Sequence, residues 1–248
     1  MLKIALPNKG RLSDDARELF ADAGLPVKAR GDRALTASLG GEFEALFVRA
    51  ADIPEFVADG AADAGVTGWD LVTESGRELD QLLDLEFGRC RIVVAAREES
   101  GIASLDGLAG NGGGKNGTPR VATVFPRLTT RFFSGRSEAV EVVPVSGAVE
   151  VTPHLGIADV IVDLTSTGST LKVNGLREIA TVLESSARLI AAPGVTALMR
   201  GGTGAANDKG RALAELVMAL ESVLRARGKR YLMANVPRDQ LPRVKEIV

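Results

Sequence analysis

Three short stretches hold most of the residues able to do chemistry. In one, an apolar run over 158–162 ends at Asp163 and gives way to Leu164-Thr165-Ser166-Thr167-Gly168-Ser169-Thr170-Leu171. A strand followed by hydroxyls, a glycine and a helix start aims several backbone N–H groups at one point, where the helix dipole favours an anion. The hydroxyls of Ser166, Thr167, Ser169 and Thr170 can donate to phosphate oxygens. Gly168 permits a left-handed backbone or close ligand approach, and an Asp at the carboxyl end of a strand stands where sugar hydroxyls are commonly held. Capping of a short helix by the same Ser and Thr fits the pattern equally well. The second stretch, Gly65-Val66-Thr67-Gly68-Trp69-Asp70, also joins a strand end to a helix. Its N–H groups suit a phosphate, and Asp70 suits a helix cap. In the third, Lys9 and Arg11 sit on the loop after the first strand. Two cations there suit a polyphosphate, as they suit a solvated turn.

Composition narrows the chemistry. The 248 residues carry 30 Lys+Arg against 32 Asp+Glu, a net charge of -2, which argues against a non-specific nucleic-acid partner. The single Cys (Cys90) excludes an internal disulfide framework and a Cys-cluster zinc site. The single His (His154) argues against a His-rich metal centre or Ser-His-Asp hydrolysis, and no metal-ligand set is expected. His154 reads as structural or solvent-facing, Cys90 as a small buried hydrophobe, Trp69 as a packing plug or a lid over a bound ligand, and Tyr231 as packing between elements. With aromatics at 4%, the core must be Ala, Val, Leu and Ile, while 28 Gly point to many tight loops. No stretch approaches the length of a membrane span, and the N-terminus resembles neither a signal nor a transit peptide, so a cytoplasmic protein is expected.

The elements that position these loops follow from periodicity. Strands are predicted over 2–6, 34–39, 42–48, 62–66, 79–85, 91–96, 121–124, 140–143, 158–162, 176–182 and 187–190. Helices are predicted over 12–23 (Ser13 as N-cap, Gly24 as stop), 51–59, 69–75, around 128–133, over 147–155 and over 207–227, the last with an apolar face of Leu213, Leu216, Val217, Leu220 and Leu224. Gly40-Gly41 signals a hairpin. The Gly-rich segment over 110–117 lacks the Gly-Lys-Ser/Thr ending of a phosphate loop and reads as a surface loop. Alternating strands and helices predict an α/β class with mostly parallel sheets.

Taken together, five motifs resemble the ATP phosphoribosyltransferase family. They are Leu6-Pro7-Asn8-Lys9-Gly10-Arg11-Leu12, Arg49-Ala50-Ala51-Asp52-Ile53-Pro54, Asp63-Ala64 continuing through Asp70, Ser146-Gly147-Ala148-Val149-Glu150, and Asp163 through Leu171 followed by Asn174-Gly175-Leu176. Each alone is unspecific; their order and spacing over 2–192 are specific. The resemblance implies a two-lobed α/β fold of the type II periplasmic-binding-protein kind with an inter-lobe active-site cleft. Lobe I is expected at 1–91 and 175–200, lobe II at 92–174, and a helix and stub at 201–248. Residues 228–237 resemble the entry to the histidine-binding regulatory domain of long family members, so a long form with that domain truncated is expected.

The implied reaction condenses ATP with 5-phosphoribosyl 1-diphosphate, giving phosphoribosyl-ATP and diphosphate in the first step of histidine biosynthesis. By resemblance, Asp163 holds ribose hydroxyls and Ser166, Thr167, Gly168, Ser169 and Thr170 cradle the 5-phosphate. Lys9, Arg11 and Arg49 meet diphosphate or triphosphate charge, and Thr67, Gly68, Asp70 and Glu150 complete the nucleotide side. Magnesium is expected to be bound mainly through the diphosphate. Phe125 falls where many relatives carry Tyr and reads equally as core or ligand contact. The implied partners are the two substrates, further copies of the chain (dimer or hexamer) and a regulatory subunit. A non-catalytic binding module on the same fold is the alternative, since fold alone does not fix function.

Overall fold

The computed structural model describes all residues except 29–33, 109–112, 115–116, 137, 200–204, 231–232, 234 and 246–248. Tyr231, expected to pack between elements, and parts of the Gly-rich loop and of the C-terminal segment lie outside the described residues.

Two sheets organise the chain. The first has the order β2 (Thr36–Gly40), β3 (Phe43–Val48), β1 (Leu2–Pro7), β4 (Ala64–Gly68), β11 (Ala187–Ala191), β5 (Asp80–Asp84). The second has the order β10 (Leu176–Ser185), β6 (Cys90–Arg97), β9 (Val160–Thr165), β7 (Arg120–Thr123), β8 (Glu141–Pro144). Side chains alternate across each sheet. In β1, Ile4 and Leu6 join one cluster with α1 (Arg11–Asp22) and α7 (Ala205–Ala226), while Ala5 packs on the other face with α2 (Ile53–Ala58) and Val72 of α3 (Trp69–Ser75). In β6, Ile92, Val94 and Ala96 face one core of the second lobe, and Val93 and Ala95 face the other.

Several expectations need correction. The sheets are mixed: β1 runs parallel to β3 and β4, and β7 to β8 and β9, but the pairs β2–β3, β4–β11, β5–β11, β6–β10 and β6–β9 are antiparallel. Except for the β2–β3 hairpin, the antiparallel pairs all involve β5, β6, β10 or β11, the strands next to the crossings between sheets. These return straight from the other lobe without a crossover helix. The return crossing falls at Ser185-Ser186, not before residue 175, because β10 pairs with β6 from Leu176↔Arg97 to Ser185↔Cys90. Helix α7, expected outside the two lobes, belongs to the first: Ala212, Leu213, Leu216 and Leu220 are buried in its main core. The helix is also tied there by Lys209 Nζ to Asp63 Oδ1 at 2.7 Å.

Local capping differs too. Gly10 is the N-cap of α1, and Ser13 lies inside the helix, where its hydroxyl accepts from Arg17 Nε. Gly24, left-handed at φ 79°, does stop that helix. The α-helix expected over 147–155 is only the 3₁₀ turn Val149–Val151. Ala148 turns left-handed before it, the Thr152 hydroxyl takes the Val149 carbonyl, and Pro153 has no N–H with which to continue. Helix α6 (Pro193–Leu198), absent from the sequence reading, follows β11.

Candidate active site

The parallel strands of each sheet bring their carboxyl ends to the segments that cross between lobes. In the first sheet, Pro7 pairs with Val48, and Asn8 N–H donates to Val48 O at 2.8 Å. The Lys9–Gly10 loop therefore lies beside Arg49, with Arg11 opening α1 next to it. Lys9, Arg11 and Arg49 are exposed, and their side chains have no hydrogen-bond or ion partner among the described residues. Three uncompensated cations at the carboxyl ends of two adjacent strands form an anion-attracting surface.

In the second lobe, β9 leads into the hydroxyl loop. Gly168 is left-handed at φ 77° and precedes α5 (Ser169–Val173). Its N–H donates to Thr165 Oγ1 at 2.9 Å, and the Thr167 and Ser169 hydroxyls share a 2.9 Å bond. Ser166, Thr167, Ser169 and Thr170 are exposed. Burial pushes the Asp163 carboxyl above its usual range, the Leu164 N–H opposes this, and the negative charge of Glu150 adds to it. A carboxylate whose charge is disfavoured in the free protein is primed to gain from a cation or from sugar hydroxyls.

Between the edges, the crossing segments line a cavity of about 320 Å³ that includes Arg89, Arg91, Ser166, Glu184, Ser185 and Arg188. Arg91 makes a bidentate pair with Glu178, its Nη2 2.7 Å from Oε2, and its Nη1 reaches the Ser166 carbonyl. Arg188 pairs with Asp84, and the Ser186 hydroxyl donates to the same carboxylate at 3.0 Å. A Cβ on Gly88 would meet Leu12 Cδ2 at 2.7 Å, so this crossing runs against the start of α1. The sequence reading missed this floor. Its one local signal was the polar break Glu184-Ser185-Ser186 between two apolar strands.

A family model described as ATP phosphoribosyltransferase matches residues 49–220. The chain is 66% identical over 249 residues to the ATP phosphoribosyltransferase of Gemmatimonas aurantiaca, covering 100% of this chain and 82% of that protein. It is 46% identical to that of Methanosarcina acetivorans, covering 100% and 80%. The chain belongs to the ATP phosphoribosyltransferase family. It is a transferase of the first step of histidine biosynthesis. A solved ATP phosphoribosyl transferase (HisG:HisZ) complex from Thermotoga maritima superposes with a TM-score of 0.72 at 26% identity, covering 91% of this chain and 99% of that one. The periplasmic VFT2 domain of Bordetella pertussis BvgS matches with a TM-score of 0.53 at 16% identity, covering 99% and 92%, which shows the shared bilobal fold alone. The binding-module alternative has no support beyond that fold.

Within this family frame, two predicted nucleotide contacts have side chains already committed. Thr67 is fully buried and its hydroxyl donates to Ala50 O at 2.7 Å. Asp70 is buried and accepts from Ser185 Oγ at 2.6 Å, while its N–H donates back to that oxygen at 3.0 Å. It is not the N-cap of α3, which is Gly68. A Cβ at Gly68 would collide with the Asp70 carboxylate, so the glycine makes room for this bond. Phe125 is buried in the second lobe's core and His154 Nε2 bonds the Asn174 carbonyl at 2.8 Å. Trp69 packs as a plug against the α2–α3 cluster. Burial raises the Cys90 thiol, which suits an inert group. In the Gly-rich segment, Gly113 N–H donates to Asp159 just before β9, at the end of the sheet away from the hydroxyl loop.

Proposed function

We propose that the second lobe holds the phosphoribosyl group and the first-lobe cations meet the phosphate chains, so that the reacting atoms come together over the crossing segments. The observation that carries this reading is the meeting of two unlike edges: a carboxylate and hydroxyl loop on one, three uncompensated cations on the other. N1 of the adenine attacks the anomeric carbon, and the C–N bond forms as the C–O bond to diphosphate breaks. Positive charge grows on the ribose and negative charge on the leaving diphosphate, so positioning and electrostatics carry the rate and no covalent nucleophile is needed.

Asp163 accepts from the ribose hydroxyls, and its charge faces the developing positive centre. The hydroxyls of Ser166, Thr167, Ser169 and Thr170, with Gly168 allowing close approach, hold the 5-phosphate. Lys9, Arg11 and Arg49 neutralise diphosphate and triphosphate oxygens. Gly68 contributes backbone to the nucleotide side, where the committed Thr67 and Asp70 side chains support it, and Glu150 meets the nucleotide from the second lobe, near enough to Asp163 to act on its charge. Among the described residues no three or more His, Cys, Asp or Glu cluster as a metal cage, but Asp163 feels the charge of Glu150. When bound, magnesium would neutralise diphosphate charge, held mainly through substrate oxygens and water.

The Thermotoga maritima complex supports an assembly of several subunits for this chain also, a dimer or hexamer open to a regulatory subunit, and light scattering should then exceed the 25.9 kDa of one chain. Among the described residues no helix is long and apolar enough to cross a membrane. The reaction itself is tested with ATP, 5-phosphoribosyl 1-diphosphate, magnesium and pyrophosphatase. The near-ultraviolet absorbance of phosphoribosyl-ATP should rise, and a flat trace from folded protein at its native assembly would count against the reading.

A further inference from the structure

Helix α3 belongs to the first lobe but is held by both. Val72 packs into the first lobe's α2–α3 cluster, whereas Leu71 packs against the second lobe's core. Leu71 and Glu74 lie three apart, on one helix face. Glu74 crosses the lobe boundary to α4 (Pro126–Ser134), whose first turn has no cap from its own side chains. There its two carboxylate oxygens accept the backbone N–H groups of Arg127, at 2.9 Å, and Leu128, at 2.8 Å. A carboxylate at a helix N-terminus satisfies N–H groups that otherwise lack a partner and meets the positive end of the dipole. Beside it, Gly76 ends α3 in a left-handed turn, φ 69°, and the Arg127 guanidinium lies where a Cβ would be, 2.7 Å from Cζ. A helix that caps another across a lobe boundary, with its terminal glycine giving way to the other's arginine, is a docking contact between rigid bodies.

The position of that contact gives it a consequence. Helix α4 starts from the carboxyl end of β7, and β7 pairs in parallel with β9, which carries the hydroxyl loop. Fixing the start of α4 against α3 therefore fixes the hydroxyl loop relative to the first-lobe edge of Lys9, Arg11 and Arg49. We propose that Glu74 is a positioning residue for the transferase reaction, a latch between lobes that sets the span from the phosphoribosyl loop to the diphosphate-neutralising cations. The proposal rests on the reading that the two edges serve one reaction centre. It touches no substrate, so each substrate should still find its own lobe. What a loosened latch costs is the alignment of attacking and leaving atoms, to which rate is steep.

The test compares Glu74→Ala and Glu74→Gln with the wild-type protein at its native assembly. Loss of a cap of about 1–2 kcal/mol corresponds to roughly a five- to thirtyfold change. Amide exchange at Arg127 and Leu128 should accelerate by that factor in E74A. kcat should fall by about tenfold, with the KM for ATP and for 5-phosphoribosyl 1-diphosphate within about twofold of wild type. Glu74→Gln keeps one acceptor oxygen and should recover part of both effects; it also carries the test alone if E74A does not fold. Glu55→Ala, which removes a surface partner of Arg77 within the first lobe, should leave kcat unchanged. The proposal is overturned if exchange at the two amides does not change, which would mean that the cap is absent in solution. It is equally overturned if exchange accelerates while kcat holds, or if activity falls only in proportion to the folded fraction. Because amide exchange needs no substrate, failure of the latch is distinguishable from failure of the site assignment.

Discussion

Asp163 concentrates the account at the scale of single residues. Burial, with the charge of Glu150 adding, holds its carboxyl above the ordinary range. The folded protein then binds that proton more tightly than the unfolded chain does. Its contribution to stability is full below the ordinary Asp value and is lost as pH rises through the raised one. At neutral pH the ionised group is a cost kept for function. Asp163→Asn should therefore stabilise the free protein by about 1 kcal/mol at pH 7, seen as a higher thermal midpoint, while turnover falls at least about a hundredfold. A variant that loses turnover without gaining stability would remove the burial argument. The loop around Asp163 was legible because its chemistry is local: hydroxyls, a glycine and a carboxylate within eight residues. Thr67 and Asp70 were not legible in the same way. Their partners, Ala50 and Ser185, lie 17 and 115 residues away, and only folding shows that both side chains are already spent.

At the scale of elements, most strands and helices were readable because β-branched runs and the 3.6-residue stripe of α7 are strong local signals. That stripe is where stability concentrates. Leu216 is fully buried in the first lobe's core, and Leu216→Ala should cost about 2–5 kcal/mol in denaturant unfolding. A cost near zero would mean that α7 does not belong to the first lobe's core. The β6–β10 pair offers a second check. Hydrogen bonds from Arg91 hold the Glu178 carboxyl below its usual range against a smaller effect of burial. Folding then favours the ionised form, so this contribution is present above the ordinary Glu value and is lost as pH falls through the depressed one. Glu178→Gln should flatten the acid limb of stability against pH, measured by urea unfolding between pH 3 and pH 5, roughly the range where carboxylates titrate. An unchanged slope would assign acid sensitivity to other groups. The turn at 148–152 escaped prediction because Ala148 adopts a left-handed conformation that no residue type there announces.

For the whole molecule, the sequence carried the family and its two-lobed fold but not the position of the return crossing. The return crossing at Ser185-Ser186 depends on β10 pairing with β6 from Leu176↔Arg97 to Ser185↔Cys90, a long-range antiparallel match that no local pattern encodes. The floor of the cleft, built from 84–91 and 184–188, and the Glu74 cap on α4 arise from such crossings. All three lie between two bodies, each with its own core, where the proposed reading puts the reaction, with the phosphoribosyl group on the second lobe. The direct measurement of that division is the response of the two substrates to Asp163→Ala. A lost charge-assisted hydrogen bond of about 1.5–3 kcal/mol predicts a KM for 5-phosphoribosyl 1-diphosphate raised roughly ten- to a hundredfold. ATP binding, followed by calorimetry on the same protein, should stay within about threefold of wild type. Equal loss of both would contradict the account, making the Asp163 loop a support for the cleft and not the holder of one substrate.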